Sequence, residues 1–169
     1  MALKPTSSVF TIGSSALETV AGTFSETRID LQLNPLDNEV LAIYAVDLQP
    51  SAPEMIGGTN TGTFAQLTRR SQTALVGIDD NDAIATVAHD IRSGAPGEGV
   101  FIGSRSMSDT PASSAIQEIA IVATSDLFLA VQGVNNVGVK DVRVKVWARR
   151  MKADSATYAA LVQSELNSN

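Results

Sequence analysis

The residues best suited to binding a partner lie near the C-terminal end of the chain. Residues 140–152 hold six of the twelve Lys and Arg side chains, together with the only Trp. A β-strand of alternating apolar and polar residues would place on one face Arg143, Lys145, Trp147 and Arg149. Cations bind phosphate and an indole stacks on a base, so one interpretation is a nucleic-acid contact, with the candidates Arg149, Arg150 and Lys152.

Two other interpretations of this basic face stay open, and the overall charge favours them. Charged side chains protect an outer or edge strand from pairing with other molecules. Trp and Arg are also favoured anchors of contacts between subunits. The chain has 18 acidic against 12 basic residues, a net charge of −6, which opposes phosphate binding. The sequence therefore favours a subunit contact or a solvated strand over a nucleic-acid site.

An acidic turn is the candidate metal site. Asp79, Asp80 and Asp82 could offer carboxylate oxygens to Ca²⁺, and Glu98 could add a ligand across a contact between subunits. The central Gly and final Glu of an EF-hand are missing, so the pattern favours a turn that caps a following helix. The chain has no Cys and a single His, His89, which excludes Cys-ligated and multi-His sites within one chain.

No arrangement of residues indicates catalysis. His89 precedes Asp90, but the Gly-x-Ser-x-Gly motif of a serine hydrolase does not occur. Two glycine-rich segments, 57–62 and 94–99, lack the lysine of a phosphate-binding loop and are typical of surface loops. We therefore expect a protein that is not an enzyme and that carries no cofactor.

The elements that must position these residues are mostly β-strands. Strict alternation of apolar and polar residues predicts strands at 29–33 and 142–147. The segment 34–38, rich in Asn, Asp and Pro, is a predicted turn. Further strands are predicted from apolar runs and β-branched content at 39–48, 63–69, 72–78, 100–107, 116–123 and 127–134.

Two helices are also predicted, one in a mid-chain crossover and one over residues 153–166. The spacing of a helix face relates Ile84, Val87, Ala88 and Ile91. At the C-terminal end, Asp154 or Ser155 is a predicted N-cap. The helix that follows carries an apolar stripe of Tyr158, Leu161, Val162 and Leu166. This stripe must pack on its own sandwich or on a neighbouring subunit, and the sequence leaves both open.

About eight strands at short spacing predict an all-β chain folded as an antiparallel β-sandwich. With helices confined to the connections, the expected arrangement is a jelly roll forming one domain over residues 1–169, with 1–8 as an N-terminal arm. The longest apolar run, 40–46, is far shorter than the ~20 residues of a membrane-spanning helix. The first 15 residues lack the apolar core of a secretory signal.

In size and strand layout, the chain resembles the single-jelly-roll capsid proteins of icosahedral viruses and phages. The resemblance is carried by residues 28–37, 39–47, 126–136, 142–150 and 153–166. It implies a structural protein, assembled in the host cytoplasm and located in the virion, whose copies tile a shell with or without other capsid proteins. The N-terminal segment departs from capsid proteins with a basic arm, because it carries only Lys4 before Arg28.

Under this interpretation, the predicted subunit-contact residues are the basic face and the helix stripe: Arg143, Lys145, Trp147, Arg149, Tyr158, Leu161, Val162 and Leu166. The alternative function is a ligand-binding or particle-decoration β-sandwich that recognises a carbohydrate or a receptor. Carbohydrate sites commonly display several surface aromatics, whereas this chain has one Trp and two Tyr.

Overall fold

The computed structural model of the protein describes residues 3–94, 99–107 and 118–167. The described part is mostly antiparallel β-structure in two five-stranded sheets, which confirms the predicted all-β class. The elements are β1 (Lys4–Pro5), β2 (Phe10–Leu17), β3 (Ser25–Asp30), β4 (Glu39–Pro50), β5 (Thr61–Thr68), β6 (Ala83–Ser93), β7 (Val100–Met107), β8 (Ala120–Val122), β9 (Asp126–Val134), β10 (Asp141–Lys152) and α1 (Ser155–Asn167).

Strand β10 is the centre of the first sheet, sheet A. One of its edges pairs with β4 along almost its whole length, from Val142 opposite Pro50 to Lys152 opposite Glu39. The other edge pairs with β2 and then with the two-residue β1. Strand β8 pairs with the far edge of β4. The second sheet, sheet B, has the order β3-β9-β5-β6-β7, and all its pairs are antiparallel.

The main core lies between the two sheets and follows from the period-two alternation of their strands. In β10, the inward residues are Val142, Val144 and Val146, as the sequence predicted. They share one apolar cluster with the fully buried Leu127 and Leu129 of β9. Aliphatic side chains dominate this core because the chain has few aromatics.

A β-bulge in β4 creates a second, smaller core on the outer side of sheet A. The register shifts where Trp147 lies opposite Ala45 and Ala148 lies opposite Ile43, so Tyr44 is the extra residue. Beyond the bulge, the outward residues of β4 are Val40 and Ala42, and both are fully buried. Helix α1 packs on these outward-facing apolar residues and buries them from solvent.

The predicted crossover helix is wrong. Ile84, Val87, Ala88 and Ile91 belong to β6, which pairs with β5 on one edge and β7 on the other. Within this segment, apolar and β-branched residues are dense enough to satisfy a helical spacing by chance. Pairing with two neighbouring strands outweighs the weak helical preference, and the turn before β6 therefore caps no helix.

The strand predicted at 72–78 is also wrong, because these residues form an irregular part of the β5–β6 connection. The connection lies on sheet B. The buried Gln66 of β5 bonds to this connection through both its amide nitrogen and its amide oxygen. Gln66 Nε2 donates to the carbonyl of Ala74 at 3.3 Å, and Val76 N donates to Gln66 Oε1 at 2.8 Å. The carbonyl of Ala74 and the N–H of Val76 are thus satisfied by a side chain instead of a neighbouring strand.

Two further differences concern strands, and some predicted loops fall outside the described residues. Strand β2 was not predicted, because Gly and Ser interrupt its alternation at residues 13–15. Of the strand predicted at 116–123, only Ala120–Val122 is a strand, and residues 116–117 lie outside the described residues. The loop predicted at 108–114, and residues 95–98 of the loop predicted at 94–99, also lie outside them.

We expect Leu129→Ala to destabilise the protein by about 2–5 kcal/mol, because it opens a cavity at a fully buried position between the sheets. The measurement is the free energy of unfolding from denaturant titration. Leu17→Ala, at an exposed position of β2, is the control and should change it by less than ~0.5 kcal/mol. Equal losses would show that the core is placed incorrectly.

Candidate subunit-contact surface

The outer side of sheet A next to α1 carries the predicted basic face. Arg143, Lys145 and Trp147 alternate with the buried valines of β10 and therefore lie on this side. On either side of Trp147, the register places the small residues Thr11 of β2 and Ala45 of β4. The half-buried indole thus has small side chains beside it on both adjacent strands. We call Arg143, Lys145, Trp147, Thr11 and Ala45 the Trp147 face.

The cations of the Trp147 face differ in how strongly they are held. Lys145 Nζ lies 5.8 Å from the centre of the Trp147 ring, within the range of a cation–π contact. Arg143 Nε lies 3.9 Å from Asp141 Oδ2, and its side chain is largely exposed. Such an exposed ion pair contributes little to stability, so Arg143 is available for contact with another molecule.

Arg149, the fourth residue predicted on this face, holds the N-terminal segment. Its Nε donates to the carbonyl of Ser7 at 2.7 Å, and the Ser7 hydroxyl accepts from Arg150 N at 3.0 Å. Thr6 N also donates to the carbonyl of Arg150 at 2.9 Å. Residues 4–7 of the predicted arm are therefore attached to the end of β10.

The other two nucleic-acid candidates lie on the inner side of the β10 alternation, away from Arg149. The Arg150 guanidinium donates to the carbonyls of Leu31 and Gln32, both at 3.0 Å, and to Glu39 Oε2 at 2.8 Å. Lys152 Nζ lies 3.9 Å from Asp37 Oδ1. The structure does not bring the three cations together on one surface, and Arg150 instead joins the β3–β4 connection to β10.

The C-terminal helix packs on its own sandwich. Tyr158, Leu161 and Val162 contact the second core, whose buried members are Val40, Ala42, Ala123, Met151 and Ala153. The prediction of an N-cap is confirmed at Asp154, which accepts from Thr157 N at 2.8 Å and from the Thr157 hydroxyl at 3.0 Å. These bonds lower the pKa of Asp154. No helix in the described ranges is long and apolar enough to cross a membrane.

The fourth position of the predicted stripe is taken by a carboxylate. Leu166 is 64% exposed, whereas Glu165 is buried and accepts from Ala123 N at 2.7 Å and Thr124 N at 2.9 Å. Sequence reasoning missed Glu165. A signal existed, because position 165 completes the i, i+3, i+4, i+7 series that begins at Tyr158.

Two further carboxylates that sequence reasoning missed fix the opposite end of the sandwich. The buried Glu18 accepts from the backbone N–H groups of Gly22 at 3.1 Å, Gly133 at 2.6 Å and Lys140 at 2.7 Å. Glu54 accepts from Val137 N at 2.8 Å. It also accepts from Gly138 N at 2.9 Å and Lys140 Nζ at 3.2 Å. Together they fix the β9–β10 connection to two other loops.

The acidic turn forms a turn as predicted, and two of its aspartates, Asp80 and Asp82, contact protein groups. Asp80 Oδ1 accepts from Asp82 N at 2.8 Å, and the buried Asp82 lies 3.9 Å from Arg70 Nε. Across the described residues, no three His, Cys, Asp or Glu side chains are grouped so that they could hold a metal ion. Glu98 lies outside the described residues. His89 is half-buried in β6, opposite Thr63 and Ser104.

No protein-family model matches this sequence, and no curated protein matches it either. The function of this chain is therefore inferred from its own geometry. It offers the Trp147 face and connections held by Glu18, Glu54 and Glu165.

We expect Glu165→Ala to cost about 1–3 kcal/mol, because it leaves two N–H groups after β8 without their acceptor. Hydrogen exchange of α1 should accelerate most strongly, since the carboxylate joins this helix to sheet A. Leu166→Ala, the exposed neighbour, is the control and should leave exchange unchanged. If both variants behave alike, Glu165 does not anchor the helix.

Glu54 should give the protein a pH-dependent stability. The N–H groups of Val137 and Gly138, followed by Lys140, hold the pKa of Glu54 below its ordinary 4.5. A folded-state pKa below the unfolded value means that the carboxylate stabilises the fold above pH 4.5. This contribution is lost as the pH falls through the folded-state pKa.

We therefore expect Glu54→Gln to lower the Tm at about pH 7, and we expect this loss to shrink as the pH falls through the folded-state pKa of Glu54. The measurement is thermal unfolding across this range. Asp47→Asn, an exposed change in β4, is the control. A Tm difference that is constant with pH would contradict the assignment.

Proposed function

We propose that this protein is a structural subunit of an icosahedral viral or phage capsid, in which many copies of the chain form the shell. The subunit assembles in the host cytoplasm and is located in the virion. Other capsid proteins are compatible with such a shell. The chain's role is structural and not enzymatic, and it needs no bound cofactor. The support comes from strand pairing, from exposed apolar surface and from the Trp147 face.

The strand pairing supports a jelly roll as the specific form of the sandwich. Pairs form between β2 and β10, β3 and β9, β4 and β8, and β5 and β6, so each pair is nested within the one before it. An eight-stranded antiparallel ribbon folded into two sheets has this nesting, and viral capsid domains are a frequent use of that fold. Strand β7 is then an addition between the fifth and sixth strands of the ribbon.

The observation that carries the step from fold to assembly is the apolar surface of β7. This strand ends the described order of sheet B, and Phe101 and Ile102 are 65% and 68% exposed. A terminal strand with adjacent large apolar side chains is prone to pair with another chain. A shell subunit needs such surface, because it becomes buried only when copies meet.

The Trp147 face is the second surface that we assign to contacts between copies. A Trp with flanking cations is a common energetic centre of protein interfaces. Asp47 and Gln49 of β4 lie opposite Lys145 and Arg143, so this side of sheet A carries both signs of charge. Mixed charge favours contact with a protein surface over binding to a polyanion.

A decoration or ligand-binding module is the second candidate, and Trp147 is the observation that favours it. A half-buried indole between small neighbours on a sheet surface can stack on a sugar ring. Binding of the monomeric protein to a glycan array, abolished by Trp147→Ala, would support this candidate against the first.

The capsid proposal predicts that the purified chain assembles. Light scattering and electron microscopy over a range of salt and protein concentrations should find species far above 17.7 kDa. The sample should also be examined for co-purified nucleic acid. A strict monomer under all these conditions would refute the proposal.

Trp147→Ala should weaken assembly more than it lowers the Tm, because the half-buried indole contributes mainly to contacts outside the chain. The critical concentration for assembly should rise roughly tenfold or more, as expected for loss of an interface anchor. Val20→Ala, another exposed apolar position outside the Trp147 face, is the control. Equal loss of assembly and thermal stability would indicate that Trp147 supports only its own fold.

A further inference from the structure

Strand β2 lies at one edge of sheet A, and its outer side has no partner strand in the described part of the chain. It pairs only with β10, where Leu17 lies opposite Asp141. Just beyond this pair, Glu18 N donates to the carbonyl of Lys140 at 2.9 Å. Because bonded and non-bonded pairs alternate along an antiparallel ladder, this bond fixes which backbone groups of β2 face β10 and which face away.

The backbone N–H and C=O groups that face away from β10 belong to Thr11, Gly13, Ser15 and Leu17. No backbone hydrogen bond within residues 3–94, 99–107 and 118–167 reaches them. A row of unpaired donors and acceptors along a strand edge is a template for one further strand. The outer side of β2 is therefore prepared to pair with an extended segment of another molecule.

The other strands at sheet edges are less suited to such pairing. Strand β8 has only three residues. Strand β3 carries Glu26, Arg28 and Asp30, and β7 carries Arg105. Short edges and charged side chains discourage pairing with another chain, and so does proline. The eight residues of β2, Phe10–Leu17, include neither a charged residue nor a proline.

A second copy of β2 matches this edge in its hydrogen bonds and in its side chains. In an antiparallel pair with a two-fold axis at Ser14, Thr11 of each copy lies opposite Leu17 of the other. Gly13 then lies opposite Ser15, and all the outward N–H and C=O groups find partners, because these four residues form the bonded pairs of the new ladder. Every residue that β2 places opposite β2 is uncharged, so the pairing sets no like charges against each other.

The edge of β2 is also continuous with a surface already assigned to contacts between copies. Thr11 lies opposite Trp147 and belongs to the Trp147 face. A strand added to β2 therefore extends the same outer side of sheet A.

We propose that β2 of one copy pairs antiparallel with β2 of a second copy across a two-fold axis at Ser14, so that sheet A continues from one chain into the other. The inference rests on the proposed shell function and specifies one of its contacts. Because both copies use the same strand, this contact stops at two copies. The dimer is then the unit of assembly, and β7 and the Trp147 face serve contacts between dimers.

Cysteine cross-linking tests the register directly, since the chain has no native Cys to give a background. Ser14→Cys places one thiol of each copy beside the axis, in a non-bonded pair whose Cα atoms lie about 4.5 Å apart. A disulfide spans Cα separations of ~4.4–6.8 Å. Oxidation of the assembled variant should therefore give a dimer, and no larger species, on a denaturing gel without reductant.

Ser8→Cys is the matched control, because it makes the same change at an exposed position shortly before β2. In the proposed register the two copies of residue 8 are more than ~20 Å apart along the strands. This variant should stay monomeric on the gel.

Hydrogen exchange supplies a second measurement on the unmodified chain. The four outward N–H groups of β2 should exchange roughly tenfold or more slowly in assembled protein than in dissociated protein, because pairing protects them. The N–H groups of Ile12, Ser14 and Ala16 face β10 and are the internal control. They should be protected in both states.

The outcomes separate this inference from the shell function. Assembled particles without the Ser14→Cys cross-link, or with a cross-link that the Ser8→Cys control forms equally, overturn the β2 contact and leave the shell function standing. Slow exchange without the cross-link shows that a different strand covers this edge, which also overturns the contact. A dimer that cross-links at residue 14 and forms nothing larger supports the β2 contact and overturns the shell function. A wild-type protein that stays monomeric overturns both proposals.

Discussion

Backbone pairing along both edges of β10 is the interaction on which sheet A depends. This strand binds β4 on one edge and the N-terminal β1 and β2 on the other, so it joins parts of the chain more than 130 residues apart. Its alternation also separates the valines of the core from Arg143, Lys145 and Trp147 on the outside. One strand thus supplies the centre of a sheet, half of a core and the candidate contact surface.

Three carboxylates satisfy backbone N–H groups that strand pairing leaves without an acceptor. Glu18, Glu54 and Glu165 each accept a hydrogen bond from at least one backbone N–H group in a connection between strands. A carboxylate that accepts several such bonds fixes a loop as firmly as a short strand would. The connections that these three carboxylates hold are therefore ordered, and an ordered surface costs less entropy when it meets a partner.

Sequence reasoning succeeded where a pattern has one structural reading and failed where it has two. The alternation at 142–147 and the Asn and Pro turn at 34–38 were read correctly, because local chemistry alone specifies them. The segment 83–93 satisfies both a helix and a strand pattern, and only pairing with β5 and β7 decides between them. Glu165 and Gln66 were missed because a buried polar side chain is identified by its partners, which lie about 40 and 10 residues away.

The position of β10 in the sheet has a consequence for biosynthesis. On a ribosome, this strand emerges after every other strand of the sandwich, so β2 and β4 remain without their shared neighbour until translation has passed residue 152. Nascent chains of this protein therefore expose two unpaired strand edges, a state that favours aggregation at high local concentration. Newly made copies can form sheet A only after release of that last strand from the exit tunnel, which delays any encounter between finished surfaces.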